Sequence, residues 1–175
     1  INVQAPEDSS TGPVAIVVKN AKGESAGFSL TKAPLAPGLL APSSFQFDGK
    51  QYAVATFSDG AFVCPPDRIA GVACRAAKPG DTVALYGVGF GAVTPVSAAG
   101  EIASGPTSLA APISLRIGGI AAELPYAGLT PGTIGLYQFN VVIPEVADGE
   151  VEVEMTVGPV SQAPVPGRLF LLVRR

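Results

Sequence analysis

Cys64 and Cys74 are the residues of this chain best suited to covalent chemistry. They enclose nine residues, among them Pro65, Pro66 and Gly71, so the intervening chain is rich in turns. A disulfide closing so short a loop stabilises by roughly 2.5–3 kcal/mol on chain-entropy grounds. The alternative is a pair of free thiols in a cytosolic protein. The absence of His and Trp and the single Met favour the bridge and an exported protein. A zinc site is disfavoured, because two Cys without His leave a tetrahedral coordination sphere half empty.

With no His in 175 residues, a Ser-His-Asp triad or a Cys-His dyad cannot be assembled. Carboxylate pairs such as Asp59 with Asp67, or Glu123 with Glu145, remain formally available for glycoside chemistry. Glu150, Glu152 and Glu154 alternate with Val151, Val153 and Met155, which predicts a solvated strand face that also discourages edge-to-edge pairing. Asp48-Gly49, Asp59-Gly60 and Asp148-Gly149 read as turns rather than calcium loops, since none lies in a dense Asp-x-Asp pattern. Tyr86-Gly87-Val88-Gly89-Phe90-Gly91 falls short of a dinucleotide fingerprint: its third glycine comes one residue early, and Pro95 and Gly100 interrupt any helix that would follow. It reads instead as a bulged bend. Tyr52, Tyr126 and Tyr137 are the aromatics that could offer a ring edge to a sugar, but inward strand positions predict core packing. No catalytic residue, cofactor site or metal site is expected.

The elements that must hold these residues are strands. The 21 Gly and 17 Pro suit a turn-rich chain, while 47% hydrophobic and only 14% charged residues exclude disorder. A net charge of −3 and a pI near 4.9 remove the electrostatic basis for nucleic-acid binding. No apolar run approaches the length of a membrane span. Without an initiator Met or signal peptide, the sequence reads as a processed or excised piece.

Period-two alternation marks Val14 to Val18, Ile113 to Ile117, Tyr137 to Val141 and Val151 to Met155; Thr82 to Tyr86 reads as a buried-type strand, and the last strand is Leu169 to Val173. Asn20 to Gly23 and Gly118-Gly119 predict hairpin reversals, and Asp48-Gly49 predicts a type I′ turn. With Asp59-Gly60 following, Phe45 to Cys64 reads as a three-stranded meander. Ala33 to Pro42 reads as a linker or crossover, and Val93 to Pro112 as a long surface loop. Ile1-Asn2-Val3-Gln4-Ala5-Pro6-Glu7 is echoed by Phe139-Asn140-Val141-Val142-Ile143-Pro144-Glu145, and each copy leads into an alternating strand. Such self-similarity suggests tandem β-modules. The fold class is therefore all-β, with immunoglobulin-like sandwich modules suggested by the strand spacing. Residues 1–77 are expected to hold a partial preceding module, the meander and the cysteine loop, and residues 78–175 a sandwich.

Lys78-Pro79-Gly80-Asp81-Thr82-Val83-Ala84-Leu85-Tyr86-Gly87-Val88-Gly89-Phe90-Gly91 resembles the opening of IPT/TIG-type immunoglobulin-like domains. Together with Ile117 to Gly128 and Pro131 to Pro144, taken in order, it resembles uncharacterised C-terminal domains of large exported acidobacterial proteins. Ile1 to Pro6 and Ala36-Pro37-Gly38-Leu39 fit the same family, so the resemblance covers most of the chain. It implies a β-sandwich module of a secreted or cell-surface protein, without established activity and with no functional residues to carry over. The expected partners are other domains of the same parent protein, with extracellular protein or glycan as external candidates. A carbohydrate- or protein-binding adhesion module, using the 93–112 loop and the cysteine loop, is the alternative expectation.

Overall fold

Residues 3–6, 10–158, 160–161 and 168–175 are described by the structure, a computed structural model. Ile1, Asn2 and Glu7 of the echoed motif lie outside them. Among the described residues the chain is all-β, interrupted only by a 3-10 turn at Ser43–Phe45. Two seven-stranded sheets dominate. The first runs Cys74–Arg75, Phe62–Val63, Ala55–Thr56, Thr82–Val88, Tyr137–Val142, Glu123–Leu129, with Gly38–Leu39 also on the Thr82–Val88 strand. The second runs Ile120–Ala121, Ile113–Ile117, Gly149–Val157, Leu169–Val173, Lys50–Tyr52, Gln46–Phe47, with Val160–Ser161 also on the Gly149–Val157 strand.

Alternation in the sequence decides which side chains share the core. Tyr137, Phe139 and Val141 are buried while Gln138, Asn140 and Val142 are half-buried. Val83, Leu85, Phe139 and Val141 of the first sheet join Leu115, Ile117, Val153, Met155, Leu169 and Leu171 of the second in one hydrophobic cluster. Each fully buried aliphatic or aromatic side chain contributes about 1.5–3 kcal/mol. Phe90 anchors one part of this cluster, its ring 4.6 Å from Phe139 and 5.4 Å from Tyr137.

The expected reversals form where the backbone allows them. Asp48 and Gly49 both take positive φ between Gln46–Phe47 and Lys50–Tyr52, and Gly118 and Gly119 do the same between Ile113–Ile117 and Ile120–Ala121. The bend at Gly87 to Gly91 has a packing reason. A side chain at Gly89 (φ 81°) would place its first carbon 2.0 Å from the carbonyl oxygen of Ala36.

Three expectations are corrected. The meander is divided between sheets: Lys50–Tyr52 lies in the second and Ala55–Thr56 in the first. Tyr52, Ala53 and Ala55 are all fully buried because the chain crosses from one layer to the other there. Gly149–Val157 is an inner strand, paired with Ile113–Ile117 and Leu169–Val173, so its glutamates guard no sheet edge. The 93–112 segment is more than a surface loop: Val93–Thr94 pairs with Ser108–Leu109, and Val93, Ala103 and Thr107 are buried. Around the 77/78 position, Ala55–Thr56 pairs with Thr82–Val88, Lys50–Tyr52 pairs with Leu169–Val173, and Ala77 bridges Val173. Residues 38–77 are thus continuous with residues 82–173 in both sheets. Gly12–Ile16 and Phe28–Lys32 form a separate two-stranded ribbon.

Candidate functional site at the cysteine loop

The cysteine loop covers the outer surface of the second sheet. Leu171 points into the main core, so its neighbours Phe170 and Leu172 must point out of the opposite face. There Leu172 joins Phe45, Phe47, Tyr52 and Cys64 in a second hydrophobic cluster, with Phe170, Phe62, Ile69 and Cys74 packed at its border. Cys64 and Cys74 are disulfide-bonded, with Cα atoms 5.1 Å apart. The bridge ties Phe62–Val63 to Cys74–Arg75, two strands joined in parallel by only two residue pairs. Cys64 is fully buried, so one end of the bridge is part of the cluster it closes.

Charged groups hold the loop's flanks. The Arg75 guanidinium lies 3.7 Å from the centre of the Phe57 ring and 2.9 Å from an Asp59 carboxylate oxygen. The backbone N–H of Ala61 donates to Asp59 Oδ1 at 3.0 Å. That bond first, and the hydrogen bond from Arg75 second, hold the Asp59 carboxyl below the usual carboxylate range. Arg68, inside the loop, pairs with Asp48 at the neighbouring hairpin turn.

Beneath the loop lies a polar group of three that has no signature in the sequence. The Tyr52 hydroxyl donates to Glu150 Oε1 and the Lys50 ammonium donates to Glu150 Oε2. Burial, followed by the hydrogen bond to Glu150, pushes the Tyr52 phenol well above its ordinary value. Hydrogen bonds from Lys50 and then Tyr52 hold Glu150 below the usual carboxylate range. Tyr52 is fully buried and therefore neutral and inaccessible. The group joins the Lys50–Tyr52 strand to Gly149–Val157 across the intervening Leu169–Val173 strand. Of the expected solvated row, Glu154 alone is exposed; Glu150 is held by Lys50 and Tyr52, and Glu152 approaches Arg168 at 3.4 Å.

Of the other sequence candidates, Asp67 and Glu123 are exposed, and the rest take internal or paired positions. Asp59 faces Arg75, and Glu145 lies 3.5 Å from Arg175, so one acid of each carboxylate pair is turned to an arginine. Asp148 accepts from the Arg175 backbone N–H at 3.2 Å. Among the described residues no group of three or more Cys, Asp or Glu is gathered as for a metal ion. Tyr126 donates to the Leu129 carbonyl at 2.5 Å and Tyr137 to the Gly91 carbonyl, so both phenols act on the fold itself. The 93–112 segment packs on the main core and the cysteine loop on the outer cluster, so they do not share a hydrophobic seat. No helix among the described residues is long and apolar enough to cross a membrane. No family model, curated protein or solved structure matches this chain.

Proposed function

We propose that this chain is an immunoglobulin-like β-sandwich unit of a larger secreted or cell-surface protein, serving as a non-catalytic structural or interaction module. The observation that carries this reading is the Cys64–Cys74 bridge closing the outer cluster of an all-β body. Such bridges persist in oxidising compartments and are reduced in the cytosol. The resemblance to exported acidobacterial C-terminal domains supports the same compartment, and the lack of His supports a role without a Ser-His-Asp triad or Cys-His dyad.

Fractionation of the source cells, followed by thiol alkylation before and after reduction, tests this proposal. Protein in the extracellular or envelope fraction with both thiols blocked until reduction is the expected result. Cytosolic protein with two reactive thiols overturns it, as does turnover of a glycoside or peptide that is lost on changing one carboxylate.

A second reading, an adhesion module, is favoured by two side chains of the 93–112 segment. Val96 is 81% and Ile102 63% exposed on a segment that Val93, Ala103 and Thr107 anchor in the core. Exposed aliphatics suit a protein partner better than a glycan, which prefers aromatic faces. Parallel glycan and protein arrays, repeated with Ile102→Ser, distinguish the two ligand classes.

A further inference from the structure

The ribbon of Gly12–Ile16 and Phe28–Lys32 carries an apolar face that no described strand covers. Val14 stands opposite Leu30 and Ile16 opposite Phe28, and the period of two puts all four on one side. Phe28 is 66% and Leu30 47% exposed. A lone two-stranded ribbon is marginally stable at best in water, so an apolar ladder on it implies a neighbour.

The chain itself shows what kind of neighbour. The hairpin of Gly149–Val157 and Leu169–Val173 pairs in a register that matches the ribbon position by position. Gly12↔Lys32 corresponds to Gly149↔Val173, Pro13↔Thr31 to Glu150↔Leu172, and Val14↔Leu30 to Val151↔Leu171. Ala15↔Ser29 corresponds to Glu152↔Phe170 and Ile16↔Phe28 to Val153↔Leu169. The correspondence continues into the connection, where Lys19↔Glu24 and Asn20↔Gly23 match Thr156↔Ser161 and Val157↔Val160. Both hairpins open on a glycine with positive φ, 99° at Gly12 and 135° at Gly149. Both follow the same Val-x-x-Pro approach, at Val3 to Pro6 and at Val141 to Pro144.

The settings differ. In the later hairpin Val153, Leu169 and Leu171 are buried against the first sheet, and Ile113–Ile117 and Lys50–Tyr52 flank the two edges. In the ribbon the corresponding face and both corresponding edges carry no described strand. Its ends are nonetheless tied to the main body. Upstream, Gln4 Oε1 accepts from the Gly100 N–H at 2.7 Å; downstream, the Ala36 N–H donates to the Gly89 carbonyl at 3.0 Å.

We infer that the ribbon is the closing hairpin of a second unit of the same construction, whose earlier strands lie upstream in the same polypeptide, and that Val14, Ile16, Phe28 and Leu30 seat that unit's facing sheet. The inference deepens the module reading by naming the partner. It fails separately from that reading, because neither compartment nor catalysis enters its test.

Amide hydrogen exchange is compared between the 175-residue chain and the parent polypeptide extended upstream by one unit. In the extended protein the amides of 12, 14–16 and 28–32 should exchange about a hundredfold or more slowly than in the short chain, as expected when a peripheral element joins a core. Phe28→Asp in the extended protein should abolish that protection and leave the exchange of 82–88 and 169–173 unchanged; Leu30→Ser should do the same more mildly. Equal exchange in both lengths overturns the inference, as does protection that survives both substitutions. A 175-residue chain that sediments as a dimer with its ribbon already protected also overturns it, because a second copy would then be the occupant. A parent reading frame with no strand pattern upstream of Ile1 sinks it without an experiment.

Discussion

Removing the Cys64–Cys74 bridge is the perturbation whose size follows most directly from the structure. The crosslink spans a sequence separation of 10 residues. On the chain-entropy relation, a loop of that size restricts the unfolded chain by about 2.7 kcal/mol at 25 °C. Cys64→Ala/Cys74→Ala also removes the buried Cys64 sulfur from the outer cluster, a smaller loss because the rings of Phe45, Phe47 and Tyr52 retain their contacts with one another. For a domain of this length each kcal/mol is worth about 2–4 °C, so the variant should melt about 5–11 °C lower. The same shift should follow when the wild-type protein is melted in a strong reductant. Reductant should then do nothing further to the double variant, which separates loss of the bridge from unrelated effects. Differential scanning calorimetry at neutral pH, with thiol counting on the same samples, is the assay. A melting temperature within 1 °C of wild type, despite a verified bridge in the starting protein, would rule out loop closure as a source of stability. It would mean that the loop is held by Arg75, Arg68 and the outer cluster alone.

Tyr52→Phe deletes a hydrogen bond to a carboxylate that keeps its Lys50 partner, and should cost about 1.5 kcal/mol in chemical denaturation. A larger loss in Lys50→Met than in Tyr52→Phe would place the weight on the ion pair instead. Glu150 has a depressed carboxyl, so its stabilisation is present above the unfolded value of about 4.3 and is lost as pH falls through the lower folded value. The melting temperatures of wild type and Glu150→Gln should therefore differ at pH 6 and converge towards pH 2, and a constant gap would contradict the assignment. Gly89→Ala meets both a positive φ and a backbone oxygen at 2.0 Å, and should destabilise by at least ~2 kcal/mol in urea titration. Tolerance of alanine there would show that the 34–38 segment can move away from the bend.

What the sequence discloses here is local, and what it conceals depends on pairings between distant segments. The alternation of Tyr137, Phe139 and Val141 identifies the inward face because a strand's period needs no knowledge of its neighbours. Asp48-Gly49 and Gly118-Gly119 disclose turns because positive φ selects few residues. The cysteine pair is readable for the same reason, since its loop is short. By contrast, Glu150 looks like one of three solvated acids until a parallel pairing of Lys50–Tyr52 with Leu169–Val173 brings Tyr52 and Lys50 to it. The crossing at Ala53 and Val54 is equally silent. Two small apolar residues between alternating segments can continue a strand or carry it into the other layer, and only the partners decide. Val93, Ala103 and Thr107 sit in a stretch of Ala, Gly, Ser and Pro that suggests a loop, yet small residues also allow close packing.

The outer cluster explains why this body needs a disulfide when its main core is already extensive. Leu169–Val173 carries apolar residues towards both faces, with Leu169, Leu171 and Val173 inward and Leu172 outward. A strand of that kind is stable only when both faces are covered. The facing sheet covers one side, and on the other the chain supplies Phe45, Phe47, Tyr52 and the bridged loop. The ribbon strand that corresponds to it has Ser29 and Thr31 where the later strand has Phe170 and Leu172. Its second face is therefore polar and needs no such cover, while its first face holds Phe28 and Leu30, each worth about 1.5–3 kcal/mol once buried. The two hairpins thus share a register but differ in how many faces must be covered.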